Sequence, residues 1–145
     1  MIKVREYDEH DLDSILDVED ASFKFPYSKE IFTELLRQKS TRMLVAEDIE
    51  GQIIGYILYS IKSGKCLLIS IAVLPEYRRS GVGSMLMQTL LKEVYGNVRQ
   101  VELQVGCKNF DAIKFYLKFN FKIVGVIPKY YSDGEDAYFM VKILD

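Results

Sequence analysis

A run of two arginines and two glycines, Arg78-Arg79-Ser80-Gly81-Val82-Gly83-Ser84, is the part of the sequence whose residue types and spacing most directly indicate chemistry. The strand-like segment before the run ends at Val73, and a helical pattern starts within a few residues. The backbone N–H groups of residues 79–84 therefore lie where the start of a helix leaves such groups unpaired. The glycines let the backbone approach a ligand closely, the helix dipole favours negative charge, and the arginines add positive charge. The run predicts a site for a phosphate-bearing ligand.

Other phosphate-binding motifs fit this run less well. A P-loop has a lysine and a hydroxyl residue directly after its second glycine, and that pair is missing after Gly83. A dinucleotide-binding fingerprint has a third glycine where Leu86 stands. Two glycines at a helix start also suit close packing, so the run by itself leaves both binding and packing open as explanations.

Periodicity predicts the elements that position this run. Alternation of apolar and polar residues, bounded by turn-forming residues, predicts strands at 2–7, 42–47, 52–61, 65–73, 100–105, 121–127 and 137–144. Helical spacing predicts helices after the N-cap residues Asp8 and Ser28 and at 80–95 and 109–119, with Gly96 and Asn120 as left-handed residues after the last two. Short turns favour an antiparallel meander for the three consecutive strands. We expect an α/β fold of order β-α-α-β-β-β-α-β-α-β-β, with helices covering a mixed sheet in one domain over residues 1–145.

The composition excludes several other classes of protein. With 145 residues and 49% hydrophobic content the chain suits one core, and no apolar run approaches the roughly 20 residues that a membrane helix needs. A net charge of −2 with interspersed signs argues against a nucleic-acid ligand. Cys66 and Cys107 lack the spacing of a metal or redox motif, and the single His10 has no second histidine with which to bind a metal. We expect a cytoplasmic protein with buried thiols, no metal, no membrane contact and no nucleic-acid partner.

The segment Ile69-Ser70-Ile71-Ala72-Val73-Leu74-Pro75-Glu76-Tyr77-Arg78-Arg79-Ser80-Gly81-Val82-Gly83 resembles motif A of the GNAT superfamily of N-acetyltransferases almost throughout, including its Arg-x-x-Gly-x-Gly core. The resemblance implies that acetyl-coenzyme A is the donor and that residues 78–84 hold its pyrophosphate. It also implies that the strand residues Ile71, Ala72 and Val73 lend backbone groups to the pantetheine arm.

A second segment, Asn109-Phe110-Asp111-Ala112-Ile113-Lys114-Phe115-Tyr116-Leu117-Lys118-Phe119-Asn120-Phe121, resembles motif B of the same superfamily, with Asn120 in place of the usual glycine. By this similarity Asn109 contacts coenzyme A, and Tyr116 lies near the thioester sulfur as the proton donor to the departing thiolate. Without the resemblance, Tyr116 is simply an aromatic residue on an amphipathic helix.

Within the superfamily the chain looks like the RimI branch of protein N-terminal acetyltransferases, because of its short length and two loops. These are Ser22-Phe23-Lys24-Phe25-Pro26-Tyr27, and Tyr130-Tyr131 followed by Gly134-Glu135-Asp136-Ala137. In that branch the two loops hold the N-terminal residues of the substrate, which implies substrate-binding roles for Phe23, Phe25, Tyr27, Tyr130 and Tyr131. The same aromatic residues would also serve to cover an edge of the core. We then expect the substrate to be the N-terminus of a protein, with a ribosomal protein as one candidate. We expect the enzyme to be a monomer or a weak dimer, and a partner subunit is possible.

One position departs from the family pattern. Gln104 stands five residues ahead of Asn109, where many relatives have a glutamate or histidine as general base, and an amide cannot take a proton at neutral pH. Glu102 shares its strand face by the two-residue period, but a solvated or paired role suits it equally well. The expected mechanism is direct attack by a neutral amine, with Gln104 positioning a water and Tyr116 protonating the sulfur.

Two other functions fit part of the sequence. An acetyltransferase for a small amine, such as a polyamine or an amino sugar, suits the acidic residues Glu19, Asp20, Glu135 and Asp136. A noncatalytic module that binds acetyl-coenzyme A suits the glutamine at position 104, although it gives the motif B tyrosine no purpose.

Overall fold

The computed structural model describes residues 1–144, and within them the chain forms seven strands and four α-helices in the predicted order. The strands are β1 (Lys3–Glu6), β2 (Thr41–Glu47), β3 (Ile53–Lys62), β4 (Lys65–Val73), β5 (Gln100–Gly106), β6 (Lys122–Ile127) and β7 (Ala137–Ile143). The helices are α1 (Leu12–Ser22), α2 (Lys29–Arg37), α3 (Val82–Val94) and α4 (Phe110–Lys118).

All seven strands form one sheet with the order β1-β2-β3-β4-β5-β7-β6. The predicted antiparallel meander of β2, β3 and β4 is confirmed, and β4 and β5 are the parallel pair that makes the sheet mixed. That pair is short, because it runs only from Lys65 opposite Gln100 to Leu67 opposite Glu102. Beyond Leu67 the two strands separate, which leaves a wedge-shaped opening in the middle of the sheet.

A β-bulge lies on β4 where this separation begins. Leu58 on β3 pairs with Ser70 and Tyr59 pairs with Leu68, so Ile69 has no partner opposite it. A bulge bends the strand that carries it and re-aims the side chains beside it. This bend accompanies the departure of β4 from β5.

Helices cover both faces of the sheet, and each pair has its own core. On one face, α1 and α2 pack Ile15, Val18 and Phe32 against apolar residues of β2 and β3. On the other face, α3 and α4 contribute to a larger core, whose buried members include Leu86, Leu90, Val101, Leu103 and Met140. A helix on each face is what a central strand such as β4 needs in order to bury both of its sides.

The helix boundaries differ from the prediction by a few residues, for identifiable reasons. Asp8 caps a 3-10 turn at Glu9–Asp11, and α1 follows that turn at Leu12. The third helix begins at Val82 because Arg79 and Gly81 have φ of +64° and +87°, a conformation that cannot continue a right-handed helix. The left-handed conformations predicted for Gly96 and Asn120 are confirmed, with φ of +86° and +68°.

Candidate active site

A cleft of about 540 Å³ opens where β4 and β5 separate. It brings together nine residues that the sequence nominated: Phe23, Phe25, Tyr27, Ile71, Gln104, Asn109, Tyr116, Tyr130 and Tyr131. The other predicted site residues do not line the cleft: they are the strand residues Ala72 and Val73 and the glycine turn of residues 78–84. Glu19 also lines the cleft, and the sequence suggested it only for the small-amine alternative. The lining residues that sequence reasoning did not nominate are Leu67, Ile69, Ser70, Val105, Gly106, Ala112, Phe115 and Ser132.

The glycine turn has the geometry of an anion site at a helix start. Met85 is the first residue after the turn whose backbone N–H bonds back into it, to the Gly81 carbonyl at 3.0 Å. The N–H groups just before Met85 therefore have the free orientation typical of a helix N-terminus. A Cβ added to Gly81 would meet no described protein atom within 4 Å, so the space above the turn is open to a ligand.

The two arginines of the turn do different things. Arg78 makes two hydrogen bonds within the protein, because its Nε donates to the Val73 carbonyl at 3.0 Å and its Nη2 donates to the Ser22 hydroxyl at 3.3 Å. This guanidinium joins the end of β4 to the end of α1. Arg79 is exposed and its left-handed backbone belongs to the turn itself.

The edge of β4 that faces β5 is unpaired from Leu68 onward. Ile71 lies on this edge in the cleft, with Ala72 and Val73 following it toward the glycine turn. An unpaired strand edge presents backbone N–H and C=O groups to whatever extended chain lies beside it. This edge therefore leads from the cleft to the glycine turn.

Asn109 reaches the cleft from the N-cap of α4, and Tyr116 reaches it from the second turn. Asn109 is the N-cap of the helix, and its side-chain oxygen accepts a hydrogen bond from the Ala112 backbone N–H at 3.3 Å. Tyr116 packs edge-on against Phe115 and Phe121, with ring centroids 5.6 and 5.8 Å away. The cap fixes the start of the helix, and the aromatic contacts fix the ring that lines the cleft.

Burial raises the pKa of Tyr116, and the nearby Tyr131 hydroxyl raises it further. The residue is only 7% exposed, yet it lines the cleft. Tyr116 consequently keeps its proton at neutral pH and faces the cleft as a hydrogen-bond donor.

Two polar residues of β5, Gln104 and Glu102, have different surroundings. Gln104 lines the cleft, as its position on the strand predicted. Glu102 lies two residues earlier on the same face of β5. Its carboxylate is 3.6 Å from Lys65 Nζ and accepts a hydrogen bond from the Gln100 side-chain nitrogen at 2.5 Å. The paired role for Glu102 is confirmed, and this carboxylate is not part of the cleft lining.

Two aromatic loops form the walls of the cleft opposite the sheet. The α1–α2 loop contributes Phe23 and Phe25, which are 37% and 57% exposed, and the half-buried Tyr27. The β6–β7 loop contributes Tyr130 and Tyr131, whose rings meet edge to face with centroids 4.9 Å apart. Burial, together with Tyr130 and Glu135, raises the pKa of Tyr131 to about 12. Large aromatic surface is therefore left uncovered at the mouth of the cleft.

The acidic residues of the β6–β7 loop hold the loop in place. The Glu135 carboxylate accepts a hydrogen bond from the Lys108 backbone N–H at 3.2 Å, and the Asp136 carboxylate accepts one from the Lys129 backbone N–H at 2.9 Å. The Glu135 carbonyl also accepts from the Tyr131 N–H at 3.1 Å. These bonds connect the wall that carries Tyr131 to the β5–α4 turn.

A buried polar network joins Glu19 to Tyr56 and Ser70 at the cleft, and sequence reasoning, which named Glu19 only for the small-amine alternative, missed these contacts. Glu19 is 2% exposed and accepts hydrogen bonds from the Tyr56 hydroxyl and, at 2.8 Å, from the Tyr27 backbone N–H. The Tyr56 hydroxyl is also 2.8 Å from the Ser70 hydroxyl oxygen. One sequence signal was present, since Glu19 follows Ile15 by four residues and so places a carboxylate on the apolar face of α1.

Two further expectations concern metals and membranes. Among residues 1–144, no three His, Cys, Asp or Glu side chains are grouped so as to hold a metal ion. No helix in this part of the chain is long and apolar enough to cross a membrane. Cys66 is buried as predicted, whereas Cys107 is only half-buried.

The model of the acetyltransferase (GNAT) family matches residues 12–121, and the chain belongs to that family. The protein is thus an acyltransferase, as its sequence indicated, and it has the mixed α/β fold of the family.

Within the family the chain is similar to N-terminal acetyltransferases. It is 38% identical over 145 aligned positions to an N-alpha-acetyltransferase of Sulfurisphaera tokodaii, covering 90% of this chain and 86% of the relative. It is 34% identical over 135 positions to a putative ribosomal protein bS18-alanine N-acetyltransferase of Bacillus subtilis, covering 90% and 87%. The crystal structure of the ribosomal-protein-S18-alanine N-acetyltransferase from Escherichia coli superimposes with a TM-score of 0.92 at 25% identity, covering 100% of this chain and 95% of that one. The resemblance to the RimI branch is confirmed.

Proposed function

We propose that the protein transfers the acetyl group of acetyl-coenzyme A to the α-amine at the N-terminus of a protein or peptide. The observation that carries this proposal is the position of the cleft, which opens between two aromatic loops on one side and reaches Ile71 on the other, where the unpaired β4 edge runs on to the glycine turn. A donor and an acceptor can enter such a cleft from opposite ends and meet between Ile71, Gln104 and Tyr116.

The residues of the donor half fit acetyl-coenzyme A. The open N–H groups and positive charge of the glycine turn suit a pyrophosphate, and the unpaired β4 edge suits the amide groups of the pantetheine arm. Asn109 keeps its side-chain NH₂ free for a ligand, because the cap uses only its oxygen. Acetyl-coenzyme A supplies a thioester, whose carbonyl carbon is open to attack by an amine.

The acceptor half fits a peptide better than a polyamine. A polyamine carries several positive charges and needs free carboxylates, but Glu135 and Asp136 are bonded to backbone N–H groups of the protein. Glu19 is buried and already accepts two hydrogen bonds. Exposed aromatic side chains such as Phe25 and Tyr130 instead offer apolar surface and hydroxyl groups to the first residues of an extended chain.

The energetics of deprotonation also favour an α-amine over a lysine side chain. An α-amine with a pKa of about 7.7–8.0 is roughly one-tenth neutral at pH 7, which adds only about 1.1–1.4 kcal/mol to the barrier. A lysine side chain with a pKa of about 10.4 would add about 4.6 kcal/mol. Because Gln104 stands in place of a general base on β5, the cleft suits an α-amine, which loses its proton more easily than a lysine side chain.

In the proposed mechanism the neutral amine attacks the thioester carbonyl directly. Gln104 orients a water or the amine itself through its amide group, and Tyr116 gives its proton to the departing sulfur. Because the raised pKa makes Tyr116 a weak acid, the proton moves only as negative charge develops on the sulfur.

The substrate class can be tested by comparing turnover on short peptides, free polyamines and amino sugars. The proposal predicts transfer to peptides with a free N-terminus and little or none to the other amines. Efficient transfer to spermidine would favour the small-molecule alternative. Stoichiometric binding of acetyl-coenzyme A without release of thiol, across a broad peptide panel, would favour the noncatalytic one.

A ribosomal protein is one candidate target, because two relatives carry that substrate in their names. We propose that N-terminal residues emerging from such a protein enter between the two aromatic loops. The cytoplasmic location, the monomeric or weakly dimeric state and a partner subunit stay predictions from the sequence.

A further inference from the structure

The buried carboxylate of Glu19 lies at the cleft without a role in the mechanism above. It comes from the apolar face of α1 and is 2% exposed. Its two oxygens accept hydrogen bonds from the Tyr56 hydroxyl and the Tyr27 N–H, one on each oxygen. Each carboxylate oxygen has a second lone pair, so Glu19 can still accept a proton.

A path of hydroxyl groups leads from the cleft to this carboxylate. Ser70 stands on the bulged part of β4, next to Ile71, and lines the cleft. Its oxygen is 2.8 Å from the Tyr56 hydroxyl, which in turn donates to Glu19. A hydroxyl can accept one proton while it gives up its own, so Ser70 and Tyr56 together can pass a proton inward.

The proposed transfer needs such an acceptor. When a neutral amine has attacked a carbonyl, its nitrogen carries a positive charge and must lose a proton. Gln104 cannot take it, and Glu102 is engaged by Lys65 outside the cleft. Among the described residues that line the cleft, Glu19 is the single carboxylate.

We propose that Glu19 is the proton acceptor of the transfer and that Ser70 and Tyr56 connect it to the attacking nitrogen. The inference rests on the proposed function. As the C–N bond forms and the C–S bond breaks, the nitrogen's proton passes to Ser70, the Ser70 proton to Tyr56, and the Tyr56 proton to Glu19. The departing thiolate takes a proton from Tyr116. Glu19 then releases one proton to water and Tyr116 regains one, so an amine and a thioester become an amide and a thiol.

The surroundings of Glu19 suit this role. Burial raises the pKa of Glu19, the hydrogen bonds from Tyr56 and Tyr27 lower it, and the neighbouring charge of Asp20 raises it, with a net rise. A carboxylate whose pKa moves toward neutral is a stronger base than an exposed one. The groups that face it are thus two tyrosines, from β3 and from the α1–α2 loop, and one exposed aspartate on its own helix.

Glu19 also holds the α1–α2 loop through the Tyr27 N–H, so a structural role must be separated from the chemical one. Loss of a purely structural contact would lower the melting temperature and raise KM for the peptide. Loss of a proton acceptor lowers kcat and changes its dependence on pH and on the basicity of the amine.

The test compares Glu19→Gln, Tyr56→Phe and Ser70→Ala with wild type, with Asp17→Asn as a control. Asp17 is an exposed carboxylate on the same helix and lies outside the cleft. Each protein is assayed from acidic to alkaline pH with two peptides. One has an ordinary α-amine, and the other begins with trifluoroalanine, whose amine is much less basic.

The expected result is a fall in kcat of about tenfold or more for Glu19→Gln on the ordinary peptide, with KM for acetyl-coenzyme A unchanged. The defect should shrink on the trifluoroalanine peptide, because a less basic nitrogen loses its proton without help. At acidic pH, two protonations should lower the kcat of wild type, that of the substrate amine and that of Glu19. Only the protonation of the amine should lower the kcat of Glu19→Gln. Tyr56→Phe and Ser70→Ala should change kcat in the same direction, and Asp17→Asn should match wild type.

Three outcomes overturn the inference. The first is an unchanged kcat in folded Glu19→Gln, and the second is a loss confined to KM and melting temperature. The third is a kcat defect of equal size on both peptides. If Glu19→Gln does not fold, Tyr56→Phe, which keeps the carboxylate, decides by the same three criteria. If wild type acetylates neither peptide, both the proposed function and this inference are wrong. If wild type is active and Glu19→Gln is equally active, only this inference is wrong.

Discussion

The Glu135 carboxylate occupies the space above Gly106 that a Cβ would fill. Gly106 ends β5 inside the cleft, and Glu135 belongs to the loop that carries Tyr131, so the missing side chain lets one cleft wall dock on the sheet. A hydrogen bond of 3.2 Å from the Lys108 N–H to the Glu135 carboxylate holds Glu135 in this position. A glycine that gave no signal in the sequence thus determines the position of one wall of the cleft.

Gly106→Ala should therefore displace Glu135 and loosen the β6–β7 loop. We expect a loss of about 1 kcal/mol in the free energy of unfolding and a higher KM for peptide, with KM for acetyl-coenzyme A unchanged. Chemical denaturation and steady-state kinetics measure both. Gly125→Ala is the matched control, because a Cβ on that strand glycine meets nothing within 4 Å.

A double mutant shows whether the carboxylate is the cause. In the Glu135→Ala background, Gly106→Ala should be neutral or slightly stabilising, because the clash is gone and alanine restricts the unfolded chain. Additive losses in the two variants would show that Gly106 and Glu135 act independently.

Gly81→Ala should weaken both the fold and the donor site. Gly81 has φ of +87°, which costs an alanine about 1 kcal/mol, and its Cβ would project into the open space above the turn. Gly51→Ala is a close control, because Gly51 has φ of +83° and also has nothing within 4 Å. Both variants should lose similar stability, while only Gly81→Ala should raise KM for acetyl-coenzyme A. Equal KM values in the two variants would mean that the turn does not bind the donor.

Tyr116→Phe should lower kcat by about tenfold or more without weakening the fold. The ring contacts with Phe115 and Phe121 survive the change, so the free energy of unfolding should stay within about 0.5 kcal/mol of wild type. Tyr59→Phe, a buried tyrosine away from the cleft, serves as the control for loss of a hydroxyl. A Tyr116→Phe enzyme with wild-type kcat would remove Tyr116 from the mechanism.

Asp11→Asn should reduce the sensitivity of the fold to acid. Both oxygens of Asp11 accept from the Arg5 guanidinium, at 2.9 and 3.0 Å, and this pairing, aided by the Asp8 N–H, lowers the pKa of Asp11 despite partial burial. A carboxyl with a lowered pKa in the folded state stabilises the protein above its unfolded pKa of about 3.9, and this stabilisation is lost as pH falls through the folded pKa.

The variant should accordingly be less stable than wild type at pH 7, by about 1–3 kcal/mol, and the difference should shrink below pH 4. Denaturation curves collected from pH 7 down to pH 2 measure this convergence. The exposed Asp13→Asn should track wild type throughout, and a constant gap between Asp11→Asn and wild type would contradict the assignment.

Local patterns predicted the order of elements, because apolar periodicity and turn residues act over a few residues. The N-cap at Ser28 and the left-handed residues Gly96 and Asn120 were predictable for the same reason. The boundary of α3 was not, since the left-handed φ of Arg79 comes from the turn as a whole and arginine carries no signal for it.

The shape of the site depended on contacts that no local pattern encodes. The separation of β4 from β5 begins at a bulge at Ile69, a residue that looks like any other apolar strand residue. Glu19 and Tyr56 are 37 positions apart in sequence and meet only because α1 packs on β3. Aromatic loops and the glycine turn were predictable as motifs, whereas the buried carboxylate under them required the fold.

The measurement that tests the central claim most directly is the site of acetylation on a peptide that contains both a free N-terminus and an internal lysine. The peptide is incubated with the enzyme and acetyl-coenzyme A, and fragmentation mass spectrometry locates the acetyl group. A second peptide, identical except for a formylated N-terminus, is treated in parallel. We predict acetyl on the α-amine of the first peptide and none on the second. Acetylated lysine on the formylated peptide, at a rate similar to that of the free one, would contradict the account.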